Sequence, residues 1–186
     1  MRYNISPLRV LIKGYGERKV SEMLSRYKDC VGSDQESFLR NNAIMIEKKN
    51  MCRTYIALDE NSDILGYFSI GLRCMRIPKP DDNHKDFGKK MNIDPESRVA
   101  QSYLIGQLSR SENTPKGFGS TLMSDAIEMI CDANLIVGCR LVRVDCDNDL
   151  ISYYSRYGFA LINRGSDDCL NQMAYILRTE SVTTEV

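Results

Sequence analysis

The fold of this chain is decided by one segment, residues 101–159. Its two ends read QSYLIGQLSRSENTPKGFGS at 101–120 and LVRVDCDNDLISYYSRYGF at 141–159. The pattern predicts a strand over 102–109, a loop with Gly117 and Gly119, an amphipathic helix and a second strand over 141–146. This order predicts a crossover unit, which leaves a helix N-terminus at the end of the first strand. The free backbone N–H groups of such a helix end bind anions.

The helix after Gly117 has the clearest pattern in the chain. Its apolar residues recur at three- and four-residue steps, which predicts a stripe that packs on a sheet. They are Leu122, Met123, Ala126, Ile127, Ile130 and Ala133.

The glycine loop has two interpretations. A phosphate can approach backbone N–H groups closely only where no Cβ intervenes, and glycine also permits a positive φ. Lys116 would supply a counter-charge, although a loop lysine is more often only solvated. A bare Gly-x-Gly is also typical of a plain strand-to-helix turn. The loop alone therefore does not decide for a cofactor.

The amino-terminal half, residues 1–72, is predicted to contain a strand, two helices and a hairpin. Residues 8–12 follow Pro7 and are predicted to form an opening strand. A helix is predicted over 17–28, and a second from the Ser33–Glu36 capping box to about Lys49, with Phe38, Leu39, Asn42, Met45 and Ile46 aligned on one face. Strands over 54–58 and 64–72, separated by a polar turn, predict the hairpin.

The remaining boundaries follow from breaks in the pattern. Residues 73–101 are predicted to be an irregular insertion, because prolines and polar residues replace periodicity there. The cofactor-binding half is predicted over 102–177. It includes a strand over 141–146 with one covered and one partly wet face, a short helix over 149–157, and strands over 159–162 and 173–177. A tail over 178–186 closes the chain.

Composition limits the classes of function. A chain of 186 residues fits a single domain, 1–186, and 25 basic residues balance 25 acidic ones, so no general affinity for nucleic acid or anionic membranes is indicated. Seven cysteines without a C-x-x-C pair, and no apolar export segment, predict reduced thiols in a cytoplasm. A single histidine argues against a zinc site, and no apolar run reaches the roughly 20 residues of a membrane span.

Taken together, the residues of the segment 101–159 resemble the core of the GNAT N-acetyltransferase superfamily. The resemblance implies a single α/β (α+β) domain, with a mixed, mostly antiparallel twisted sheet, helices on both faces and one parallel βαβ crossover. It also implies acetyl-CoA as co-substrate, no metal, and transfer of the acetyl group to a primary amine by direct attack. The cofactor-binding residues implied are Leu108, Ser109, Arg110, Lys116, Gly117, Phe118, Gly119, Ser120 and Asn148.

Tyr154 lies five residues before Phe159, where the resemblance places the general acid that protonates the departing thiolate of coenzyme A. A phenol suits this role because it is protonated at neutral pH. The alternative is a packed aromatic, since Tyr153 and Tyr157 crowd the same short helix. Asn148 could likewise cap that helix rather than contact the cofactor.

Two features of the sequence depart from a complete site. The superfamily's loop usually reads Arg/Gln-x-x-Gly-x-Gly, and Thr114 stands at the first position here, where its hydroxyl could still donate. No general base is predicted, because Asp145 and Glu112 are as readily surface charges.

The amino-terminal half and Ile105-Gly106-Gln107-Leu108 are similar to a bacterial and phage GNAT subgroup related to the toxins of toxin–antitoxin pairs. This similarity implies aminoacyl-tRNA as an alternative acceptor and allows a homodimer. RNA binding would need a basic stripe. Its candidates are Arg40, Lys48, Lys49, Arg53, Arg73, Arg76, Lys79, Lys85, Lys89 and Lys90. A third hypothesis is a GNAT fold that binds CoA or a partner without chemistry.

Overall fold

The computed structural model of the protein describes residues 2–30, 32–79, 93, 96–166 and 169–177. The strands are β1 Asn4–Pro7, β2 Cys52–Leu58, β3 Ile64–Arg76, β4 Val99–Arg110, β5 Leu141–Cys146, β6 Ala160–Asn163 and β7 Asn171–Ile176. The helices are α1 Leu8–Tyr15, α2 Glu17–Ser25, α3 Asp34–Ser37, α4 Ala43–Lys48, α5 Phe118–Ile136 and α6 Ile151–Ser155. A π-helical stretch, Phe38–Asn42, joins α3 to α4, and a 3₁₀ turn, Asn148–Leu150, precedes α6.

These strands form one open, mixed sheet in the order β1-β2-β3-β4-β5-β7-β6. β2 pairs antiparallel with β1 and β3, and β7 pairs antiparallel with β5 and β6. β4 and β5 are neighbours that the chain connects through α5, as the crossover prediction requires. The predicted fold class is confirmed.

The predicted opening strand over 8–12 is wrong, because these residues form helix α1. Leu8 and Leu11 are buried while Val10 is 56% exposed, so burial repeats every three residues and does not alternate. The N–H of Gly16 donates to Ile12 O at 2.9 Å, and the φ of Gly16 is +84°, which ends the helix. The first strand is β1, which comes immediately before α1 and pairs with β2.

The capping box at Ser33 is confirmed in one half only. Ser33 Oγ accepts hydrogen bonds from the N–H groups of Gln35 and Glu36 at 3.1 and 3.4 Å. The carboxylate of Glu36 does not return to Ser33. It accepts from the N–H of Asp29 at 3.0 Å and so ties the preceding loop to the helix.

The predicted helix from Ser33 to about Lys49 is present, but its buried face differs from the prediction. Met45 is 43% exposed, whereas Ala43 and Glu47 are buried. The π-helical stretch Phe38–Asn42 causes this shift, because a π turn contains an extra residue and rotates all that follows relative to an α-helical spacing.

By their contacts the residues form two compact units, Met1–Leu72 with Leu104–Asp132, and Arg73–Tyr103 with Ala133–Val186. In the first unit, α1, α2 and the π stretch pack on the face of the sheet that carries Ile56 and Tyr67. The core there consists of Leu8, Leu11, Val20, Leu24, Tyr27, Leu39, Ala43, Ile56, Leu58 and Tyr67.

Helices cover both faces of β3 in the first unit. Tyr67 belongs to the core just described, while a Cβ added at the neighbouring Gly66 would meet Leu122 Cδ1 of α5 at 2.7 Å. Consecutive residues of a strand point to opposite faces, so α5 lies on the other side from α1 and α2. The predicted α5 stripe is confirmed, with Leu122, Met123, Ala126 and Ile130 buried.

The second unit is built around β5 and its antiparallel partner β7. Its core consists of Met75, Ile77, Ala100, Leu141, Ile162 and Ala174. The predicted alternation along β5 is wrong, since only Asp145 is half-buried and the other residues of the strand are buried. Even Arg143 is buried, because its guanidinium binds both oxygens of Asp145 and donates to Cys74 O at 2.8 Å.

The hairpin of β2 and β3 and the strands β6 and β7 are confirmed with small shifts of their ends. The range predicted as an irregular insertion begins and ends in strand, since β3 continues to Arg76 and β4 begins at Val99. The predictions for 80–92, for 94–95 and for the tail from 178 lie outside the described residues.

Candidate functional site

The predicted site residues divide between the two units. The strand end and glycine loop, residues 108–120, belong to the first unit, and Asn148 and Tyr154 belong to the second. The structure brings the loop residues together, as the sequence order requires.

The glycine loop leaves backbone N–H groups open at the start of α5. Gly117 has a φ of +100°, which side chains rarely tolerate, and no atom lies within 4 Å of the place where a Cβ would stand. The N–H of Phe118 donates to Pro115 O at 3.3 Å, and that of Ser120 to Gly117 O at 2.9 Å. Among the described residues, the N–H groups of Gly117 and Gly119 donate to no oxygen. Two donors are therefore available to an anion.

Thr114 has a role that the sequence did not predict. It is 5% exposed, and its hydroxyl lies 2.5 Å from Ser111 O and 2.9 Å from Leu65 O, two internal acceptors that share its single proton. The expectation that this hydroxyl could donate to a cofactor is wrong, because both of its acceptors are internal. Thr114 holds the loop against the start of β3, a contact across 49 residues that no local pattern signals.

The side chain of Arg110 also holds the loop. Its guanidinium donates to Thr114 O at 2.8 Å and to Ser111 O at 3.4 Å. Its contribution to a cofactor would therefore come from the backbone. Lys116 is exposed and makes no ion pair with a described residue, so it is free to meet a phosphate.

Tyr27 holds the end of β4, the strand that leads into the loop. The Tyr27 hydroxyl donates to Ser109 Oγ at 2.8 Å inside the core, and burial raises the pKa of this phenol. Leu108 is half-buried beside it. Ser109 therefore uses its side chain for structure and has only its backbone to offer to a ligand.

Phe118 anchors the first turn of α5. Its ring is buried and meets the ring of Tyr3 edge-on, with centroids 5.2 Å apart. The Tyr3 hydroxyl donates to Asp125 Oδ2 at 2.9 Å, one more contact that the sequence did not predict. Burial and the neighbouring carboxylate raise the pKa of Tyr3 to about 12.

Asn148 does not cap the helix that follows it. Asp147 occupies the cap position, because Asn148 is itself the first residue of the 3₁₀ turn. The Asn148 Oδ1 accepts from Asn171 Nδ2 at 3.1 Å instead. Its amide nitrogen has no partner among the described residues. Asn171 was not predicted as a site residue, and no motif marks it.

Tyr154 combines a packed ring with an unpaired hydroxyl. Its ring meets those of Tyr153 and Phe159 edge-on, at centroid distances of 5.2 and 5.9 Å. Burial, with a smaller effect of Cys146, raises the pKa of Tyr154 to about 12. The hydroxyl makes no hydrogen bond to any described residue and is not sealed in the core. The packed-aromatic alternative thus accounts for the ring but not for the hydroxyl.

The carboxylates considered as bases are poor candidates. Asp145 is paired through both oxygens with Arg143, at 2.6 and 2.8 Å, and Glu112 is exposed. The described residues contain no group of three or more metal-ligating side chains, and none of the described helices has the length and apolarity to cross a membrane.

No protein-family model matches the sequence, and no curated protein matches it significantly. The fold is similar to that of several solved structures. A structure of AtaT complexed with acetyl-methionyl-tRNAfMet is 18% identical with a TM-score of 0.69, and the match covers 94% of this chain and 95% of that one. A tyrosine-to-phenylalanine mutant of KacT is 19% identical with a TM-score of 0.71, covering 95% of each chain.

A third similar structure is an AtaT mutant toxin bound to the C-terminus of the antitoxin AtaR and to acetyl-CoA. It is 16% identical with a TM-score of 0.64, and the match covers 95% of this chain and 94% of that one. The similarity extends over nearly the whole of both chains in all three cases. The protein therefore has the GNAT-like fold that the sequence resemblance implied.

Proposed function

We propose that the protein is an acetyltransferase that moves an acetyl group from acetyl-CoA to a primary amine. The observation that carries this proposal is the loop at the start of α5, where the N–H groups of Gly117 and Gly119 have no partner among the described residues and lie beside the exposed Lys116. A diphosphate needs such donors, and the positive end of a 19-residue helix favours it further. The comparisons add that a protein of this fold binds acetyl-CoA.

The residues present fit acetyl-CoA. The absence of a Cβ at Gly117 opens the loop to close approach, and the bonds of Thr114 and Arg110 hold it in shape without a ligand. Acetyl-CoA supplies the activated thioester. The amine forms a C–N bond to the carbonyl carbon while the C–S bond breaks, and the sulfur leaves with its electron pair.

Tyr154 is proposed to donate the proton that this sulfur takes up. Its raised pKa keeps the phenol protonated throughout the physiological range, and its hydroxyl has no competing partner among the described residues. The phenolate then recovers a proton from solvent. No base is assigned, because an amine that is already neutral needs only water to take its proton.

The proposal is tested by calorimetric titration with acetyl-CoA, followed by an assay of free thiol release with a panel of primary amines. We expect saturable binding and amine-dependent release of CoA. Saturable binding with no transfer to any amine would favour the hypothesis of a GNAT fold that binds CoA without chemistry. Absence of binding would exclude both.

A second candidate is a toxin that acetylates aminoacyl-tRNA. The observation that favours it is the similarity to AtaT, solved with acetyl-methionyl-tRNAfMet. In the first unit Lys49 is exposed and makes no ion pair with a described residue, whereas Arg40 and Lys48 are paired with Glu36 and Glu17. Arg53 is a weaker candidate for RNA contact, because it is only half-exposed and binds Glu47 and Asn50.

Induced expression separates this candidate from the first. Growth arrest with acetylated aminoacyl-tRNA, relieved by a neighbouring gene product, would support a toxin. Normal growth with an unmodified tRNA pool would contradict it.

We also propose a cytoplasmic setting, since all seven cysteines are free thiols. A homodimer stays a prediction that sedimentation would test.

A further inference from the structure

Asn171 occupies a buried position in the second unit, at the start of β7. It is 3% exposed and opposes Cys146, the last residue of β5. Its Nδ2 donates to Cys146 O at 3.1 Å and to Asn148 Oδ1 at 3.1 Å, while its Oδ1 accepts from the N–H of Gly165 at 3.2 Å. This side chain therefore joins the end of one strand to the candidate site residue Asn148.

The orientation of the Asn171 amide follows from its two backbone partners. The carbonyl of Cys146 can only accept, and the N–H of Gly165 can only donate. A reversed amide would face oxygen with oxygen and N–H with N–H, and a buried polar group that loses its partners is costly. The Asn171 amide nitrogen therefore faces Cys146 and its oxygen faces Gly165.

This orientation determines that of Asn148 in turn. The second N–H of Asn171 needs an acceptor, and Asn148 provides Oδ1. The NH₂ group of Asn148 must then point away from Asn171. Asn148 is exposed, and this NH₂ has no partner among the described residues.

We propose that Asn171 is a positioning residue, which fixes the amide of Asn148 so that it presents a hydrogen-bond donor to a carbonyl oxygen of the acyl-CoA substrate. The inference rests on the proposed function for the identity of that substrate. The orientation of the Asn148 amide, with its NH₂ group pointing away from Asn171, does not depend on the proposed function. Without Asn171, either end of the Asn148 amide could face the ligand, and half of the orientations would place oxygen against oxygen.

This orientation is tested first without any ligand, by the exchange of side-chain amide protons in protein with ¹⁵N-labelled asparagine. We expect at least one Nδ2 proton of Asn171 to be protected and both protons of Asn148 to exchange at the rate of a free amide. Protection of the Asn148 protons, with free exchange at Asn171, would overturn the inference. This readout stands even if the protein binds no CoA, in which case the proposed function fails and the positioning role is still decided.

The consequence is then tested by titration with CoA and by kinetics with acetyl-CoA. Asn148→Asp keeps the bond from Asn171 but replaces the outward donor by an acceptor, and we expect affinity for CoA to fall about tenfold. Asn171→Asp is expected to reverse the Asn148 amide, to raise KM for acetyl-CoA about three- to tenfold and to leave kcat within twofold.

Asn163→Asp is the matched control. Asn163 also donates from one amide to two acceptors of the second unit, Arg76 O and Gln172 Oε1, both at 2.8 Å, without touching Asn148. We expect this variant to bind CoA as the wild type does. Wild-type affinity in Asn148→Asp would overturn the inference even if Asn171→Asp does not fold.

Discussion

At the residue scale the proposed mechanism depends most on Tyr154, whose packed ring and hydroxyl can be tested separately. The ring packs against Tyr153 and Phe159, so Tyr154→Phe keeps the packing and removes only the proposed proton donor. We expect kcat to fall about 10²-fold or more with CoA affinity unchanged, in line with the usual contribution of a general acid. Steady-state kinetics and calorimetry measure the two quantities.

Tyr153→Phe is the control for Tyr154→Phe, since it removes a neighbouring phenol and is expected to keep wild-type kcat. Equal activity in both variants would mean that the thiolate takes its proton from solvent. The pKa of Tyr154, raised by burial to about 12, adds a pH test. A protonated phenol is required and persists below that pKa, so loss of the acid should not lower kcat between pH 7 and 10.

Thr114 is the residue for which the expectation from the sequence and the observed hydrogen bonding differ most. In Thr114→Val the internal hydrogen bonding of the hydroxyl to Ser111 O and Leu65 O is lost while the shape of the side chain is kept. A loosened loop presents its N–H groups less well, so KM for acetyl-CoA should rise about tenfold, because each buried hydrogen bond contributes about 1 kcal/mol.

Thr114→Ser keeps a hydroxyl and should restore most of the affinity lost in Thr114→Val. If valine has no effect on KM while thermal stability falls, Thr114 serves the fold alone. The sequence could not reveal this role, because the partner of Thr114 lies on β3 and is found only when the sheet is assembled.

At the scale of elements, β3 packs closely against α5 and β4 at Gly66, and this packing fixes the position of β4, the strand before the loop. A Cβ at Gly66 would lie 2.7 Å from Leu122 Cδ1 and 2.7 Å from Ser109 O. The leucine can shift, but the backbone oxygen cannot without moving β4. Gly66→Ala should therefore lower the free energy of unfolding by about 1–3 kcal/mol, measured by urea denaturation.

Gly14→Ala is the matched control for Gly66→Ala. Gly14 lies in α1, and no atom stands within 4 Å of its added Cβ, so alanine should be neutral or stabilising by up to about 1 kcal/mol. Equal stability of the two variants would show that the packing at Gly66 relaxes freely.

The elements also show where sequence patterns stop being informative. The stripe of α5, which is buried from Leu122 to Ile130, follows the predicted helical spacing, whereas residues 8–12 are too short a run to separate strand from helix. The π stretch Phe38–Asn42 shifts the buried face by one residue, which no α-helical periodicity can show.

For the whole molecule, the order of elements along the chain predicts the crossover unit, and the resemblance to the GNAT superfamily implies the rest of the fold. A strand, a glycine loop, a helix and a second strand in that order form a crossover whichever side chains they carry. The similarity to the AtaT and KacT structures, at identities of 18 and 19%, confirms the fold. The candidate site is less predictable from the sequence. Asn171 and Thr114 bind partners that are 23 and 49 residues away along the chain, and Arg110 binds a backbone oxygen, which no side-chain pattern reveals. Glycines and a tyrosine can be recognised from spacing, but the residues that hold them cannot.

The central claim is that the loop at Gly117 and Gly119 binds the diphosphate of acetyl-CoA. Calorimetric titration of the wild type and of Gly119→Val with acetyl-CoA tests it most directly. We predict saturable one-to-one binding by the wild type and a loss of at least about 100-fold in affinity for the valine variant, whose side chain would obstruct approach to the N–H groups. No saturable binding by the wild type, or equal affinity in a folded Gly119→Val, would contradict the account.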